Sequence, residues 1–439
     1  MSDFLSHLEC GNCGEAHDSE MLQSVCQRCG GPLLARYRTG DPRLPGLEDI
    51  LGRPPGQFRF QEMLPHRSPP LTLGEGGTPM WKATAIRGSP WIKDEAQNPT
   101  GSFKARGMAV ALPRNLELGA GRFCLPSNGN AGGAAAAYGA LYDVRIEVAV
   151  PASTPRALIE ESRELGATVT IVEGTIADAA ARQREELSDR GWFSLATLHE
   201  PYRVEGKKMM GYEIFWDLGH LPDVVIFPTG GGTGLVGMLK AFDEMEALGW
   251  IGSDRPRMVA AQVEGCSPIV AAFGSGADRA FPWAEAAETS AYGLRVPYTI
   301  GDQLMLTGLR RTGGIAISVN EHEMIDAARM MATRAGIWGS PEGGAGLAAH
   351  LRLLEAGWIA PDDEVVLFNT GSALKYLDGP TTQHRALTTP SEPEPGVPQP
   401  GVEPGVPQLI SGTNPLIYDE NLLVRTRRDE EDETAAARG

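Results

Sequence analysis

Five short, β-branched runs constrain this chain more than anything else in it. They are RIEVAVPAST (145–154), TVTIVEG (168–174), DVVIFPTGGGTG (223–234), RPRMVAAQVEG (255–265) and DEVVLFNTGSA (363–373). Each ends in Gly, Ser, Thr or Pro, or just beyond one, as a strand that stops at a turn does. Between them lie helical patterns at 155–167, 177–190, 233–249 and 321–336. Strands alternating with helices from about 71 to 380 predict an α/β body: two open, mainly parallel sheets covered by helices, with ligands bound outside the carboxyl ends of the strands. A smaller subdomain is expected at about 110–205. With 439 residues, 42% of them hydrophobic, the chain has enough material for two or three domains and a large core.

The flanks have a different character. CGNCG at 10–14 and CQRCG at 26–30 give two C-x2-C pairs separated by twelve residues. Cys10, Cys13, Cys26 and Cys29 are thus spaced to place four thiolates around one Zn²⁺, in a ribbon-like module over residues 1–40. The spacer is slightly shorter than is usual for a four-cysteine ribbon. The alternative is a set of reduced or disulfide-linked cysteines, and a cytosolic chain rarely keeps disulfides. Four thiolates leave no open position, so this metal would be structural. Residues 41–70, rich in Pro, Arg and Gly, read as an extended connection. From 381 to 439 the composition turns Pro-rich and then charged, with EPGVPQ at 394–399 and again at 403–408, which predicts a disordered tail. Within it only NPLIYDENLLV is apolar enough to dock, on the body or on a neighbouring subunit, and a homodimer is compatible with that.

Composition narrows the function. The net charge is 39 − 56 = −17 and no basic stripe stands out, which argues against a nucleic-acid partner. No apolar run is long enough to span a bilayer, and MSDFLSHLEC does not read as a signal peptide, so the expected location is cytoplasmic, with no membrane partner. Cys124 and Cys266 lie in apolar surroundings and read as buried small residues, not nucleophiles.

NPTGSFKARG (98–107) carries the chemistry. Asn98 to Gly101 spell a turn, Ser102 is suited to cap a helix, and Lys104 falls in that helix's first turn. A cation there opposes the helix dipole, an unfavourable place for a lysine with no function. PTGGGTG (228–234), between a strand and a helix, is an anion cradle: its glycines let backbone N–H groups converge, and the helix adds its positive end. It lacks both the Lys-Ser/Thr of a nucleoside-triphosphate loop and the spacing of a dinucleotide fingerprint, which points to a small phosphorylated ligand. SNGNAGGAAAAYG (127–139) offers Asn donors and backbone amides, and NTGSALKY (369–376) offers the hydroxyls of Thr370 and Ser372.

Together KDEAQNPTGSFKARG (93–107), SNGNAGGA, PTGGGTG and NTGSALK resemble the threonine synthase family of fold-type II pyridoxal-phosphate enzymes, in order over roughly 71–380. The double C-x2-C ribbon also resembles an extension found on some members. The resemblance implies a lyase of amino-acid biosynthesis. Lys104 would form a Schiff base with pyridoxal phosphate and shuttle protons, its pKa lowered by burial and the helix start. Gly230, Gly231, Gly232, Thr233 and Gly234 would hold the cofactor phosphate, Asn130 the ring hydroxyl oxygen, and Thr370 would face the pyridine nitrogen. Phe103 either packs near the ring or belongs to the core. The implied reaction turns O-phospho-L-homoserine and water into L-threonine and phosphate.

The departures fall on the substrate side. Ala105 replaces the Asp of the familiar Lys-Asp-Arg-Gly motif, Ala131 and Gly132 stand where small polar residues are common, and TIADA (175–179) replaces an Asn-Phe-Asp-Asp-like run. These keep open a related β-elimination or β-replacement on another amino acid, such as a serine/threonine ammonia-lyase reaction, and a non-catalytic cofactor-binding scaffold. For a substrate phosphate, Arg203, Lys207 and Lys208 form a candidate clamp, with a solvated basic turn as the alternative. Glu342 in GSPEGGAG is placed to line the pocket. Arg310 and Arg311, beside another Gly pair, have no assigned role.

Overall fold

A computed structural model describes residues 4–377, apart from 188, 189 and 285. The tail expected from 381 onward lies outside the described residues. The first sheet is small and antiparallel, in the order Ala16–His17, Leu5–Cys10, Leu33–Tyr37. Its two connections carry the cysteine pairs. Residues 41–70 contain a short helix, Leu47–Leu51, and 3-10 turns over Gln57–Met63, with Phe60 and Met63 buried against the body.

The body has two sheets. Six strands run in the order Ile315–Val319, Arg257–Val263, Val224–Pro228, Val365–Asn369, Trp91–Asp94, Met80–Lys82, parallel except for the last, which pairs antiparallel at the edge. Four parallel strands run Thr168–Val172, Arg145–Pro151, Arg122–Pro126, Phe193–Ser194. The expected α/β class with mainly parallel sheets is what forms. The central strands Val224–Pro228 and Val365–Asn369 are buried along their whole length, as strands covered on both faces must be. Helices Arg156–Glu164, Ile176–Leu187, Thr233–Ala247 and Glu321–Ala335 fall where the 3.6-residue pattern puts them. Among the described residues no helix is long and apolar enough to cross a membrane.

Two helices position the centre of the molecule. Lys104–Glu117 and Arg203–Leu218 pack with their backbones almost touching, because a Cβ on Gly206 would run into the carbonyl oxygen of Arg106. The first helix is also pinned electrostatically. Arg106, fully buried, donates to Glu95 (2.5 and 2.8 Å), Glu213 (2.6 and 2.7 Å) and the Thr78 hydroxyl (3.2 Å). Lys93, also buried, pairs with Glu213 at 3.0 Å and Asp217 at 2.7 Å. Five hydrogen bonds on one guanidinium therefore fix the helix turn that carries Lys104.

Candidate active site

The carboxyl ends of strands from both large sheets open on one cavity of about 570 Å³. Lys104, Asn130, Gly230, Gly231, Gly232, Thr233, Gly234 and Thr370 all line it. Residues separated by up to 266 positions thus share one chamber, as expected for ligands at strand ends in α/β sheets.

Lys104 is the first residue of its helix, but Ser102 does not cap it. The N-cap position is Phe103, without a side-chain cap bond. Ser102 is extended instead (φ −161°, ψ 157°) and bridges to Gly371, while the Phe103 amide donates to Thr370 O at 3.1 Å. That bridge ties the lysine loop to the Thr370 loop, and chain pairing has overridden the capping preference. The hydroxyls of Thr100 and Ser102 are left buried without partners among the described residues.

Lys104 Nζ sits 3.7 Å from the centre of the Phe103 ring, and Lys207 Nζ approaches the same ring at 4.7 Å. Phe103 is buried and packs edge-on against Phe227 at 5.6 Å, so it belongs to the core and also floors the lysine site. Burial, then the charge of Arg203, pull the Lys104 amine down to about 7, with Glu342 acting in the opposite direction. Near neutral pH this lysine is therefore substantially unprotonated.

The glycine loop follows Val224–Pro228 and opens helix Thr233–Ala247. Gly232 takes φ +86°, left-handed, with Met305 where a side chain would go. The first amides of the helix have no intrahelical acceptors and face the loop. Lys207 reaches this cradle: its ammonium donates to Thr233 Oγ1 at 2.6 Å. Burial and the charges of Arg203 and Lys104 hold its pKa well below the ordinary value.

The expected clamp is thereby divided. Arg203 is buried at the cavity, its Nη1 donating to Leu195 O (2.5 Å) and Thr197 Oγ1 (3.5 Å), its Nε unpartnered among the described residues. Lys207 belongs with the cradle. Lys208 turns away and is bound to Glu205 (2.7 Å) and Glu244 (2.9 Å) beneath the Tyr37 ring, because successive helix residues point about 100° apart. Arg310 and Arg311 pair with Asp278 and Asp243 at 3.2 and 2.9 Å and do not line the cavity.

Asn130 opens helix Asn130–Leu141, donating to the Tyr376 hydroxyl (2.8 Å) and accepting from Lys375 (3.2 Å). Two amides of its loop, those of Gly129 and Gly132, are occupied by Ser127 Oγ at 3.0 Å, so they are not free for a ligand. Glu342 lines the cavity as expected, accepting from Tyr376 (3.0 Å) and the Gly293 amide (2.8 Å), with Oε2 unpartnered among the described residues. Thr197, His199 and Arg184 line the cavity without having been singled out in the sequence, and Tyr376, the last residue of NTGSALKY, reaches it through Asn130 and Glu342. Cys124 and Cys266 are buried, and burial pushes their thiols up to about 12 and about 11, far from nucleophilic.

In the N-terminal module the sulfur atoms of Cys10, Cys13, Cys26 and Cys29 all lie within 4.8 Å of one another. Pairs stand at 3.4, 3.5 and 3.7 Å. Four thiolates at about 2.3 Å from a tetrahedral zinc lie about 3.8 Å apart, so the set fits that ion.

The cavity fits pyridoxal phosphate on three counts: a buried amine near neutrality for an aldehyde, a glycine cradle with a lysine on its threonine for a phosphate, and two buried polar atoms, Arg203 Nε and Glu342 Oε2, without partners among the described residues. The family described as "Pyridoxal-phosphate dependent enzyme" matches residues 71–371. The chain is 33% identical over 376 residues to threonine synthase of Methanosarcina acetivorans (84% of this chain, 92% of that protein). It is 31% identical over 379 residues to threonine synthase of Methanocaldococcus jannaschii (84% and 93%). Among solved structures, maize serine racemase shares the fold at TM-score 0.58 and 21% identity, covering 70% of this chain and 90% of its own. A fungal L-serine ammonia-lyase from Rhizomucor miehei shares it at TM-score 0.56 and 20% identity, covering 67% and 93%.

Proposed function

The chain belongs to the pyridoxal-phosphate dependent enzyme family, and on that premise we propose that it converts O-phospho-L-homoserine and water to L-threonine and inorganic phosphate. The observation that carries this reading is the pairing of two anion-binding features with one near-neutral amine in a single cavity: the cradle with Lys207, and Arg203 with a buried, unpartnered Nε. A phosphate cofactor needs one anion site. A phosphorylated substrate needs another, and the threonine synthase relatives support that use of it.

Gly230, Gly231, Gly232, Thr233 and Gly234, with Lys207, would hold the cofactor phosphate; Asn130 would meet the ring hydroxyl and Thr370 the ring nitrogen. Pyridoxal phosphate, when bound, supplies the electron sink that lets protons leave Cα and Cβ of the substrate. Lys104, with its amine at about 7, takes those protons and returns them near neutral pH without a large driving-force penalty. Phe103 beneath it and the Arg106 network behind it keep the amine in place. A neutral hydroxyl at Thr370 would leave the ring nitrogen unprotonated, which would suit elimination and replacement. Arg203 would bind the substrate phosphate until Cγ–O cleavage releases it. The four cysteines would hold one structural zinc.

Purified protein should release phosphate and L-threonine in equal amounts from O-phospho-L-homoserine. Arg203→Met should raise KM for that substrate more than for L-serine. Ammonia and 2-oxo acid from L-serine or L-threonine, with no phosphate from phosphohomoserine, would move the assignment to the ammonia-lyase alternative.

A further inference from the structure

Two residues of the cysteine module belong to the wall of the reaction cavity. Ser24 and Val25 line the same chamber as Lys104 and Arg203. Val25 adjoins Cys26, its backbone bridges to Pro32, and the Cys26 amide donates to Gly31 O at 2.9 Å. Its place is therefore set by the knuckle that presents Cys26 and Cys29 to the sulfur cluster.

The other end of this segment is anchored to the catalytic elements. The carbonyl of Ser19 accepts from Arg114 Nη2 at 2.8 Å and from the Tyr202 hydroxyl at 3.3 Å. Arg114 lies on the helix that starts at Lys104, and Tyr202 immediately precedes Arg203. Glu20 adds ion pairs to Arg114 (3.1 Å) and Arg67. The segment from Ser19 to Cys26 is thus strung between the lysine helix and the four sulfurs, with Ser24 and Val25 on the cavity. Without an ion the sulfurs have no common ligand, and the Cys26 end of the cavity wall is held by its backbone bonds to Gly30, Gly31 and Pro32.

We infer that the four-cysteine module completes the substrate pocket: an ion bound by Cys10, Cys13, Cys26 and Cys29 fixes Ser24 and Val25 against the cavity, so that metal loading strengthens substrate binding while the cofactor stays bound. The inference rests on reading the cavity as the substrate site. Linkage makes it reciprocal: whatever factor zinc adds to substrate affinity, the substrate adds to zinc affinity.

The test uses the full-length holoenzyme and the phosphonate analogue of O-phospho-L-homoserine, in which a methylene replaces the ester oxygen and no phosphate can leave. Its dissociation constant is measured calorimetrically in zinc-loaded protein, in reduced zinc-stripped protein and in zinc-loaded Val25→Trp. Stripping should weaken binding about tenfold with the cofactor absorbance retained, and saturating analogue should tighten zinc binding by the same factor. Val25→Trp, which overfills the wall, should weaken analogue binding about tenfold with zinc and cofactor contents unchanged. It tests the wall itself even if the stripped protein unfolds. Equal dissociation constants in zinc-loaded and zinc-stripped folded protein, or in wild type and Val25→Trp, would overturn the inference. If wild type binds L-serine and not the phosphonate, the substrate assignment falls, and the same comparison made with L-serine decides the inference.

Discussion

Replacing Arg106 with Met removes a buried guanidinium that makes five hydrogen bonds. Four of them go to two carboxylates, Glu95 and Glu213. Glu213 keeps Lys93 at 3.0 Å. Among the described residues Glu95 keeps only neutral donors, the Thr78 hydroxyl at 2.7 Å and Asn98 Nδ2 at 2.9 Å. One buried carboxylate is therefore left without its cation, and removing one partner from a buried pair costs about 3–5 kcal/mol. That is a large part of the roughly 5–15 kcal/mol that holds a protein folded. Arg106→Lys keeps the charge but cannot fork to both carboxylates, and should fall between Met and wild type. The assay is urea unfolding followed by tryptophan fluorescence. The pH dependence has a definite sign. Although burial opposes it, the charges of Arg106 and Lys93 hold the Glu213 carboxyl well below the usual carboxylate range. Its contribution is thus present above the ordinary Glu value of about 4.3 and is lost as pH falls below that value. The gap between wild type and Arg106→Met should be widest at pH 7 and shrink towards pH 3. A loss under about 1 kcal/mol at pH 7, or a gap that widens in acid, would refute the reasoning.

Three further outcomes follow from the site. Capture of pyridoxal phosphate by the apoenzyme requires a neutral Lys104, so its rate should climb through about pH 7 and level off above; Arg203→Met should move the climb to higher pH, and a wild-type climb near pH 10 would contradict the burial argument. Gly232→Ala, forced to φ +86° against Met305, should weaken cofactor retention at least about tenfold, read by equilibrium dialysis; unchanged retention would remove this loop from the phosphate site. Freshly purified, reduced protein should carry about one zinc per chain, absent from Cys26→Ser/Cys29→Ser, and metal analysis that finds none would count against the four-thiolate site.

What the sequence made legible was local. Strand runs with glycine-rich ends, the lysine at a helix start and the 230–234 loop each depend on residues within a few positions, and the structure forms them where the pattern puts them. The readings that changed depend on pairing across the chain. Ser102 has the chemistry of a cap, but its backbone is drawn to Gly371, 269 residues away by number. Lys207 and Lys208 are adjacent in sequence, yet one meets Thr233 and the other Glu205 and Glu244, which only the rotation of a packed helix decides. Arg106 was visible as part of a motif, but its partners at 78, 95 and 213 come from three separate segments. Ser24 and Val25 carry no signal at all, since a serine and a valine between cysteine pairs reach a cavity only through tertiary docking.

The central claim, γ-elimination of phosphate followed by hydration at Cβ, is tested most directly by running the reaction in ¹⁸O-labelled water. Elimination breaks the Cγ–O bond, so phosphate leaves with its own four oxygens and the incoming water becomes the threonine hydroxyl. Mass spectrometry of a single incubation with O-phospho-L-homoserine should therefore find label in L-threonine and none in phosphate, with both products absent from Lys104→Ala. Label in the phosphate with homoserine as co-product would mean P–O hydrolysis, and would contradict the account.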